Sequence, residues 1–407
     1  MVIVATNLAG YYQRFETRVE LNCWLDKEDT MWKQRSRLNW FKEGDRNTGF
    51  FHANASSRFQ KNLMEGIYDD EGLWQEDEKI VVKIFVDYYS ELFTTCRPSK
   101  FIEIVDAVHP KVMEGMNSTL IREFLPGEVH WALKQMYTLK ALGLDGMPPL
   151  FFQHFWPTVS DVVTKTVLDF LNLGVIPPNF NDTHIVLVPK TKNPKRVTEY
   201  RPISLCNVVY KLASKTLVNR LKRLLPSIIS DIQSAFVNGR LIIDNVLVAF
   251  KTIHHISQRK VGVIGEMALK LDMSKAYDRV ERACLEKIME RLRFHPRWRR
   301  LMMQSITFVI YSIRINGKQS GQIIPFRGLR QDDSLSPYLF LLCVEGLSAL
   351  IKKAGFDGTM EGVSVYKGGP SLPHLFFIDD SIIFRKATIE ECEALQKVLL
   401  VYEQASG

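Results

Sequence analysis

Leu375-Phe376-Phe377-Ile378-Asp379-Asp380-Ser381-Ile382-Ile383-Phe384 is the stretch that decides the fold. Its two apolar runs are rich in residues that favour strands, and the Asp-Asp-Ser between them favours a tight turn. The pattern predicts a β-hairpin with Asp379 and Asp380 at its tip. Two like charges at the edge of a buried sheet repel each other, so a divalent metal with oxygen ligands is the natural counter-charge. Taken alone, the motif also fits an exposed turn without a role, because short motifs recur by chance.

The composition is that of an ordinary folded protein. Of the 407 residues, 46% are hydrophobic and 24% are charged, which excludes a disordered chain. The formal net charge of +8 suggests a polyanionic partner. The six cysteines are scattered without a C-x-x-C pair, so we expect reduced thiols rather than a zinc finger or a disulfide framework. Because neither a signal peptide nor an apolar run of membrane-spanning length is present, we expect an intracellular protein, nuclear or cytoplasmic, with no membrane partner.

The first 60 residues or so are predicted to be helical and basic. Aromatic and basic side chains alternate there: Trp32, Trp40, Phe41, Phe50 and Phe51 with Lys33, Arg35, Arg37, Lys42, Arg46 and Arg58. This pattern suits a nucleic-acid surface, where cations meet phosphates and rings stack on bases. An amphipathic helix that packs its rings inward explains it equally well. A small hairpin over 62–74 and a helix over 76–93 follow.

We place a domain boundary near residue 120, after a weaker stretch that contains Pro98 and Pro110. This gives a helical, basic N-terminal extension over 1–119 and a second domain over 120–407. In the second domain, helices alternate with a few separated strands, which predicts an α+β fold. The predicted strands include 183–188, 266–272 and the pair that flanks Asn316-Gly317. Predicted helices include 208–225, with Lys211 on its outer face, and one that starts with Ser336 as its N-cap and ends before Gly355.

A further carboxylate, Asp272, suggests that the hairpin is part of a metal site. Asp272 ends the predicted strand 266–272, and three carboxylates converge if this strand neighbours the hairpin. Such a cluster can hold two Mg2+ ions about 3.5–4 Å apart and clamp the attacking and leaving oxygens of a phosphoryl transfer. Mg2+ prefers carboxylate and phosphate oxygens together, so a nucleoside triphosphate would complete its shell. The basic segment 189–201 can neutralise the phosphates.

Several stretches resemble motifs of reverse transcriptases, in the order that this family has them. Residues 270–280 read Lys-Leu-Asp-Met-Ser-Lys-Ala-Tyr-Asp-Arg-Val, residues 327–340 include Arg-Gln-Asp-Asp-Ser-Leu-Ser-Pro, and residues 377–380 read Phe-Ile-Asp-Asp. Residues 200–208 and 233–240 are similar to the family's finger-region signatures, and residues 40–48 to the segment before the polymerase domain. From about residue 30 to its end, the chain resembles polymerases of plant LINE-type (non-LTR) retrotransposons.

The resemblance implies an RNA-directed DNA polymerase that transfers a nucleotide from a dNTP to a primer 3′-OH in a two-metal reaction. Its cofactor would be Mg2+, as two ions, with Mn2+ as a possible substitute, and its partners an RNA template and a DNA primer. The implied fold is the fingers and palm of a right-hand polymerase, with an antiparallel palm sheet packed on helices after a mostly helical N-terminal extension. The chain ends at Gln404-Ala-Ser-Gly407, so we expect the thumb to be absent and the element to be truncated at both ends.

The resemblance also assigns roles to single residues. Asp272, Asp379 and Asp380 would be catalytic and bind the metal ions. The substrate-binding residues would be Lys190 and Arg201 on the phosphates, Tyr277 under the incoming sugar and Gln331 near nucleotide and template. Asp278 is expected to be structural and to pair with a nearby arginine. Tyr277 has the role of a core aromatic as its alternative.

Five positions depart from the family pattern. Asp332 and Ser334 stand where the family usually has glycine and proline, residues 140–146 lack two prolines, and Ile378 replaces an alanine. Asp332 adds a Cβ and a negative charge beside the triphosphate site, so we expect weaker nucleotide binding. A catalytically inactive nucleic-acid-binding remnant is therefore the alternative function. An unrelated two-metal phosphotransferase would not explain the finger signatures, and the sequence predicts no oligomeric state.

Overall fold

The structure is a computed structural model that describes residues 17–28, 30–32, 48–98, 101–259, 264–366 and 368–407. Residues 17–28 and 30–32 are helical. Most of the alternating aromatic and basic residues predicted for a nucleic-acid surface lie outside the described residues, including Trp40, Phe41 and Arg46. Of those described, Phe51 is buried and Phe50 is exposed. No helix in the described ranges is long and apolar enough to span a membrane.

The elements alternate along the chain as expected for an α+β fold. The helices are α1 (Thr48–Asn62), α2 (Glu78–Leu92), α3 (Phe101–Ala107), α4 (Glu114–Ile121), α5 (Pro126–Lys134), α6 (Pro149–His154), α7 (Trp156–Leu168), α8 (Val208–Leu221), α9 (Leu225–Ile228), α10 (Ile242–Gln258), α11 (Ala276–Arg279), α12 (Arg282–Arg291), α13 (Pro296–Thr307), α14 (Ser336–Phe356) and α15 (Ile389–Ser406). The strands are β1 (Ile67–Tyr68), β2 (Trp74–Gln75), β3 (Thr183–Pro189), β4 (Tyr200–Cys206), β5 (Glu266–Asp272), β6 (Tyr311–Ile315), β7 (Lys318–Ile323), β8 (His374–Phe377) and β9 (Asp380–Lys386).

Three strands form the sheet that carries the carboxylates. Its order is β5-β9-β8, and both strand pairs are antiparallel. The apolar side chains of Phe376 and Ile383 pack into the main core, and Leu269 and Leu271 pack against it from β5. Because alternate residues of a strand point to opposite faces, this burial fixes the register between the strands. The strand predicted over 266–272 is therefore the neighbour of the hairpin.

A second, mixed sheet of four strands lies on the other side of the pocket described below. Its order is β4-β3-β6-β7, with β3 antiparallel to β4 and parallel to β6. The predicted tight turn between β6 and β7 is present, and Asn316 and Gly317 both have positive φ, at 50° and 85°. These are the dihedrals that a two-residue hairpin turn requires. The small hairpin predicted near the N-terminus is also present as β1 and β2.

Helix α14 is the centre of the main core. Fifteen of its 21 residues are buried, and it packs against α3, α12 and α15. Ile104 from α3 is fully buried in this core, although the sequence places α3 in the N-terminal extension. Segments on both sides of residue 120 thus contribute to one core. The division of the chain into two domains stays a prediction.

Three local expectations differ from the structure. Leu335 is the N-cap of α14, the Ser336 hydroxyl has no hydrogen-bond partner within the described ranges, and the helix runs through Gly355 to Phe356. Lys211 is buried rather than on an outer face, because its Nζ donates a hydrogen bond to the Ala141 carbonyl at 2.9 Å. Its burial lowers the pKa of this ammonium group. Helix α13 was not predicted from the sequence.

Candidate active site

The β-hairpin predicted over 375–384 has a two-residue turn. Phe377 pairs with Asp380, so the turn consists of Ile378 and Asp379 alone. The expectation that both aspartates occupy the tip is therefore corrected: Asp379 lies in the turn, and Asp380 is the first residue of β9. Two-residue loops are preferred in hairpins because their backbone twist matches that of the strands.

Ile378 has an unusual backbone conformation. Its φ is +58°, in the left-handed region, and its half-buried side chain packs against the main core. A left-handed conformation costs an L-residue about 1–2 kcal/mol, and β-branched residues adopt it rarely. Such strain persists only where the surrounding structure over-determines the conformation. The turn that presents Asp379 is therefore held in place by its neighbours rather than by its own preference.

Strand register brings Asp272 to the same end of the sheet. Asp272 is the direct partner of Asp380 across the β5–β9 ladder, so both side chains lie on one face. Asp272 and Asp379 line one pocket with a cavity volume of about 1050 Å3. Asp380 lies outside the pocket lining, and its Oδ1 is 3.2 Å from the Nζ of Lys270. Of the three predicted carboxylates, Asp272 and Asp379 lie in the pocket, and Asp380 pairs with Lys270 outside it.

The donor chemistry of this pair fits Mg2+. Across the ranges that the structure describes, no three His, Cys, Asp or Glu side chains stand close enough together to hold a metal ion. Mg2+ does not require such a cage, because it is commonly bound by one or two carboxylates together with substrate phosphates. Asp272 and Asp379 supply two carboxylates on the wall of a pocket large enough for a nucleotide.

Basic side chains line the same pocket as these carboxylates. Arg201 lies opposite Val188 in the β3–β4 ladder, and Lys190 follows the end of β3. Both side chains are exposed and both line the pocket. The Nζ of Lys190 donates a hydrogen bond to the Thr198 carbonyl at 2.7 Å. The structure therefore brings the two predicted phosphate contacts to one pocket with Asp272 and Asp379.

Tyr277 and Gln331 also line the pocket. The Tyr277 ring stacks on Phe340, with 4.9 Å between ring centroids and 18° between planes. Burial, together with the Asp379 carboxylate, raises the pKa of the Tyr277 hydroxyl, which stays protonated. The Gln331 amide is already engaged, because its Nε2 donates to both carboxylate oxygens of Asp278 at 2.9 and 3.0 Å.

Asp278 is buried at the base of this pocket. Burial raises the pKa of its carboxyl group to about 6, although the hydrogen bond from Gln331 and the charges of Lys275 and Lys190 oppose the shift. The expectation that Asp278 pairs with an arginine is wrong, since its side-chain partner is Gln331. A glutamine satisfies a buried carboxyl group in either protonation state, because its amide can rotate.

Asp332 occupies the position where a glycine is usual, and it adopts the backbone conformation that glycine favours. Its φ is +71°. Aspartate tolerates this region better than most residues. Its Oδ1 lies 3.4 Å from the Nζ of Lys140, which also donates to the Asp332 carbonyl at 3.3 Å. The added negative charge is therefore partly neutralised beside the pocket.

Two lysines that line the pocket were not predicted from the sequence. Lys140 lies in the loop over 140–146, which was compared with the family without a role for its lysine. Lys275 also lines the pocket, and its Nζ is 4.6 Å from the centroid of the Tyr88 ring. Its position three residues after Asp272 was the available signal. Tyr88 comes from α2, so the N-terminal extension contributes to the pocket wall.

Buried charges fix the segment that carries Gln331 and Asp332. Arg330 and Asp333 are buried on either side of them, with Nε and Oδ2 3.7 Å apart. The Arg330 guanidinium lies 3.9 Å over the ring of Tyr210, whose hydroxyl donates to Asp333 at 2.8 Å. Cation–π contacts and charge-assisted hydrogen bonds of this kind are strongest where water is excluded. Flexibility of this pocket wall is correspondingly restricted.

Known proteins are similar in sequence to most of the chain. The chain is 26% identical over 375 residues to the transposon TX1 uncharacterized 149 kDa protein of Xenopus laevis, which covers 92% of the chain and 28% of that protein. It is 25% identical over 229 residues to the retrovirus-related Pol polyprotein from type-1 retrotransposable element R2 of Popillia japonica, covering 54% of the chain and 30% of that protein. An uncharacterized mitochondrial protein of Arabidopsis thaliana is 49% identical over 67 residues, which are 16% of the chain and 55% of that protein.

The chain thus spans less than a third of the transposon and R2 proteins and about half of the Arabidopsis protein. The narrower resemblance to plant elements stays a prediction, because the plant similarity covers only a small part of the chain. The family described as reverse transcriptase (RNA-dependent DNA polymerase) matches residues 188–407, more than half of the chain, and includes the hairpin, β5 and most of the pocket. The chain belongs to the reverse transcriptase family.

Proposed function

We propose that this chain is an RNA-directed DNA polymerase that joins a nucleotide from a dNTP to a primer 3′-OH on an RNA template. The observation that carries the proposal is the single pocket that Asp272 and Asp379 line together with Lys190 and Arg201. A pocket with carboxylates on one wall and cations on the other suits a metal-bound triphosphate. In this assignment, the three-stranded sheet is the palm and the mixed sheet belongs to the fingers.

The cationic wall of the pocket, formed by Lys190 and Arg201, binds the triphosphate. Arg201 offers a planar pair of donors that matches phosphate oxygens, and Lys190 adds a point charge. Lys190 has to exchange the Thr198 carbonyl for a phosphate oxygen, because its ammonium group is hydrogen-bonded there in the structure. Arg201 is therefore the stronger of the two contacts in this proposal.

The carboxylate wall of the pocket, formed by Asp272 and Asp379, aligns the reacting groups. Asp272 and Asp379 are the residues that would hold Mg2+, or Mn2+ in its place, and Asp380 would be a third ligand if Lys270 released it. When bound, the metal ions stabilise the negative charge on the attacking and leaving oxygens of the transfer. The chain itself contributes orientation, because strand register fixes Asp272 and the turn fixes Asp379.

Tyr277 forms the floor under the sugar of the incoming nucleotide. Its ring is stacked on Phe340, so it cannot move aside easily to admit a 2′-hydroxyl. Gln331 acts through Asp278, which holds its amide at the pocket wall. Because the Nε2 of Gln331 is bonded to Asp278, any contact of this side chain with the template uses its other atoms.

Primer extension tests the proposal. The full chain is incubated with poly(rA)/oligo(dT), dTTP and Mg2+, and Asp379→Ala serves as the matched inactive variant. We expect incorporation by the wild type that depends on metal and RNA template and that is lost in Asp379→Ala. Absence of incorporation by a folded wild-type protein, with either Mg2+ or Mn2+, would contradict the proposal.

A nucleic-acid-binding remnant without catalysis is the second candidate. The observation that favours it is the carboxylate of Asp332, 3.4 Å from Lys140 at the edge of the triphosphate pocket. This function predicts RNA binding that falls steeply with salt, because phosphate contacts release counterions, and no incorporation. Restoring the usual residues with Asp332→Gly and Ser334→Pro separates the two candidates, since it raises activity only if the protein is a polymerase.

A further inference from the structure

Strand β8, which leads into the catalytic turn, is an edge strand whose outer side is occupied by a loop. Among the residues that the structure describes, no strand pairs with this side of β8. Residues 232–234 lie there instead: the amide of Phe376 donates to the Ile232 carbonyl at 3.0 Å, and the amide of Ser234 donates to the Phe376 carbonyl at 3.4 Å. The Nδ2 of Asn245 in α10 donates to the same carbonyl at 2.9 Å. Paired backbone groups make this edge rigid.

Gln233 extends this loop contact to the turn itself. Its side chain is 2% exposed, and its Oε1 accepts hydrogen bonds from the amide of Ala235 at 3.0 Å and from the amide of Ile378 at 3.4 Å. One side-chain oxygen therefore connects the loop with the residue that precedes Asp379. The second contact is long, so its contribution lies at the lower end for a hydrogen bond.

The residue that receives this contact is the strained one. Ile378 has a φ of +58°, and neither its β-branched side chain nor its chirality favours that conformation. A change of φ at Ile378 would redirect the next residue, whose carboxylate lines the pocket. The contact thus acts at the point where a backbone change has the greatest effect on Asp379.

We propose that Gln233 is a positioning residue that braces Ile378 in the left-handed conformation and so directs Asp379 into the pocket. The effect on catalysis rests on the proposed polymerase function, whereas the brace itself does not. A glycine at position 378 would adopt the same conformation without strain and would need no brace. The effect of Gln233 is therefore expected to depend on the residue at position 378.

Hydrogen exchange of the full chain tests the brace without reference to activity. The variants are Gln233→Met, which keeps the length of the side chain and removes the acceptor, Ile378→Gly and the double variant. Gln153→Met is the matched control, because Gln153 also bonds backbone groups through its amide, the carbonyls of Leu133 and Met136, away from the hairpin. Exchange is followed by mass spectrometry in peptides that cover 374–386 and 336–356.

In Gln233→Met, we expect amides in 374–386 to exchange about two- to threefold faster, the lower end of what one hydrogen bond supports. Exchange in 336–356 is expected to stay unchanged, and Gln153→Met should leave both peptides of the wild type unaltered. In the Ile378→Gly background, Gln233→Met should change the hairpin less. Unchanged exchange of the hairpin in Gln233→Met overturns the brace, and so does an equal increase in 336–356, which would mean general loosening of the core.

Primer extension with the same variants tests the catalytic consequence. Gln233→Met should lower kcat with little change in the KM for dTTP, and the loss should be smaller in the Ile378→Gly background. An equal loss in both backgrounds would overturn the role of the strained turn. If the wild type incorporates no nucleotide while exchange behaves as expected, the polymerase function fails and the brace stands.

Discussion

The two sheets that border the pocket deliver opposite charges with different degrees of constraint. On the three-stranded sheet, Asp272 and Asp379 have short side chains whose positions follow from strand register and a two-residue turn. On the mixed sheet, Arg201 and Lys190 project long side chains from exposed positions near the ends of β3 and β4. Groups that align a reaction must be placed to a fraction of an ångström, whereas groups that supply counter-charge tolerate movement.

This difference predicts which kinetic constant, kcat or KM, each substitution should change. A change on the carboxylate wall should lower kcat, because it removes an interaction that the transition state needs most. A change on the cationic wall should mainly raise the KM for dNTP, because it removes binding that substrate and transition state share. The four predictions below test this contrast, from the largest expected effect to the smallest.

The largest effect is expected within the carboxylate wall. Asp272→Asn and Asp379→Asn should each lower kcat by at least about a hundredfold, the scale on which single charge-stabilising groups act in catalysis. Asp380→Asn should cost less, because its carboxylate lies outside the pocket and pairs with Lys270. Steady-state primer extension at saturating dTTP measures all three, with Lys270→Ala as the control for the ion pair. Equal losses at all three aspartates would contradict the distinction between the two aspartates in the pocket and Asp380 outside it.

The second effect concerns Asp278, a buried carboxyl group in the lining of the pocket. Its pKa is about 6 in the folded protein, raised by burial from an ordinary value of 3.8. The folded state therefore holds the proton more tightly than the unfolded chain does. The stability that this group contributes is fully present below pH 4 and is lost as the pH rises through 6.

The expected loss is about 3 kcal/mol, from a shift of about two pKa units at 1.36 kcal/mol each. Urea unfolding of wild type and Asp278→Asn between pH 4 and pH 7.5 measures it, because the variant lacks this titration. The wild type should lose stability relative to the variant as the pH rises. A difference that does not vary with pH would show that the pKa of Asp278 is the same in the folded and unfolded states, contrary to the effect of its burial.

The third effect lies on the cationic wall. Arg201→Ala should raise the KM for dTTP about tenfold with a smaller change in kcat, because a hydrogen bond to a charged group contributes about 1.5–3 kcal/mol. Lys190→Ala should have a weaker effect, since the structure already pairs its ammonium group with the Thr198 carbonyl. Lys192→Ala is the matched control from the same basic segment, outside the pocket lining. A loss confined to kcat in Arg201→Ala would remove the contrast between the walls.

The parts of the site that depend on strand pattern could be predicted from the sequence. The strand ending in Asp272 has the predicted bounds, and its pairing with β9 follows from alternating apolar residues that must all face one core. The register then places Asp272 beside Asp380, whereas the position of Asp379 also depends on the turn. Lys190, directly after β3, and Arg201 on β4 line the same pocket, as the adjoining basic segment predicts.

Side-chain partners could not be predicted in this way. That Gln331, rather than an arginine, bonds Asp278 depends on how the 330–333 segment folds back over α11, which no local pattern specifies. The ion pair of Lys140 with Asp332 joins two loops that are far apart in sequence. The positive φ of Ile378 contradicts the preference of its residue type and is determined by its tertiary surroundings.

The smallest effect is expected at Asp332, where the two walls meet. Asp332→Gly removes a half-exposed negative charge beside the triphosphate pocket and frees Lys140 to face the phosphates. Because this charge is exposed to solvent and already paired, its interaction with a phosphate is of the order of 1 kcal/mol, and the KM for dTTP should fall about two- to fivefold. Asp332→Asn separates charge from backbone, since asparagine also tolerates the left-handed conformation and keeps the Cβ. If the gain comes from charge, both variants should show it, and Lys140→Ala should reduce it in either background. A gain in Asp332→Gly alone would assign the effect to the Cβ and to the backbone, and would make this loop a steric rather than an electrostatic part of the pocket.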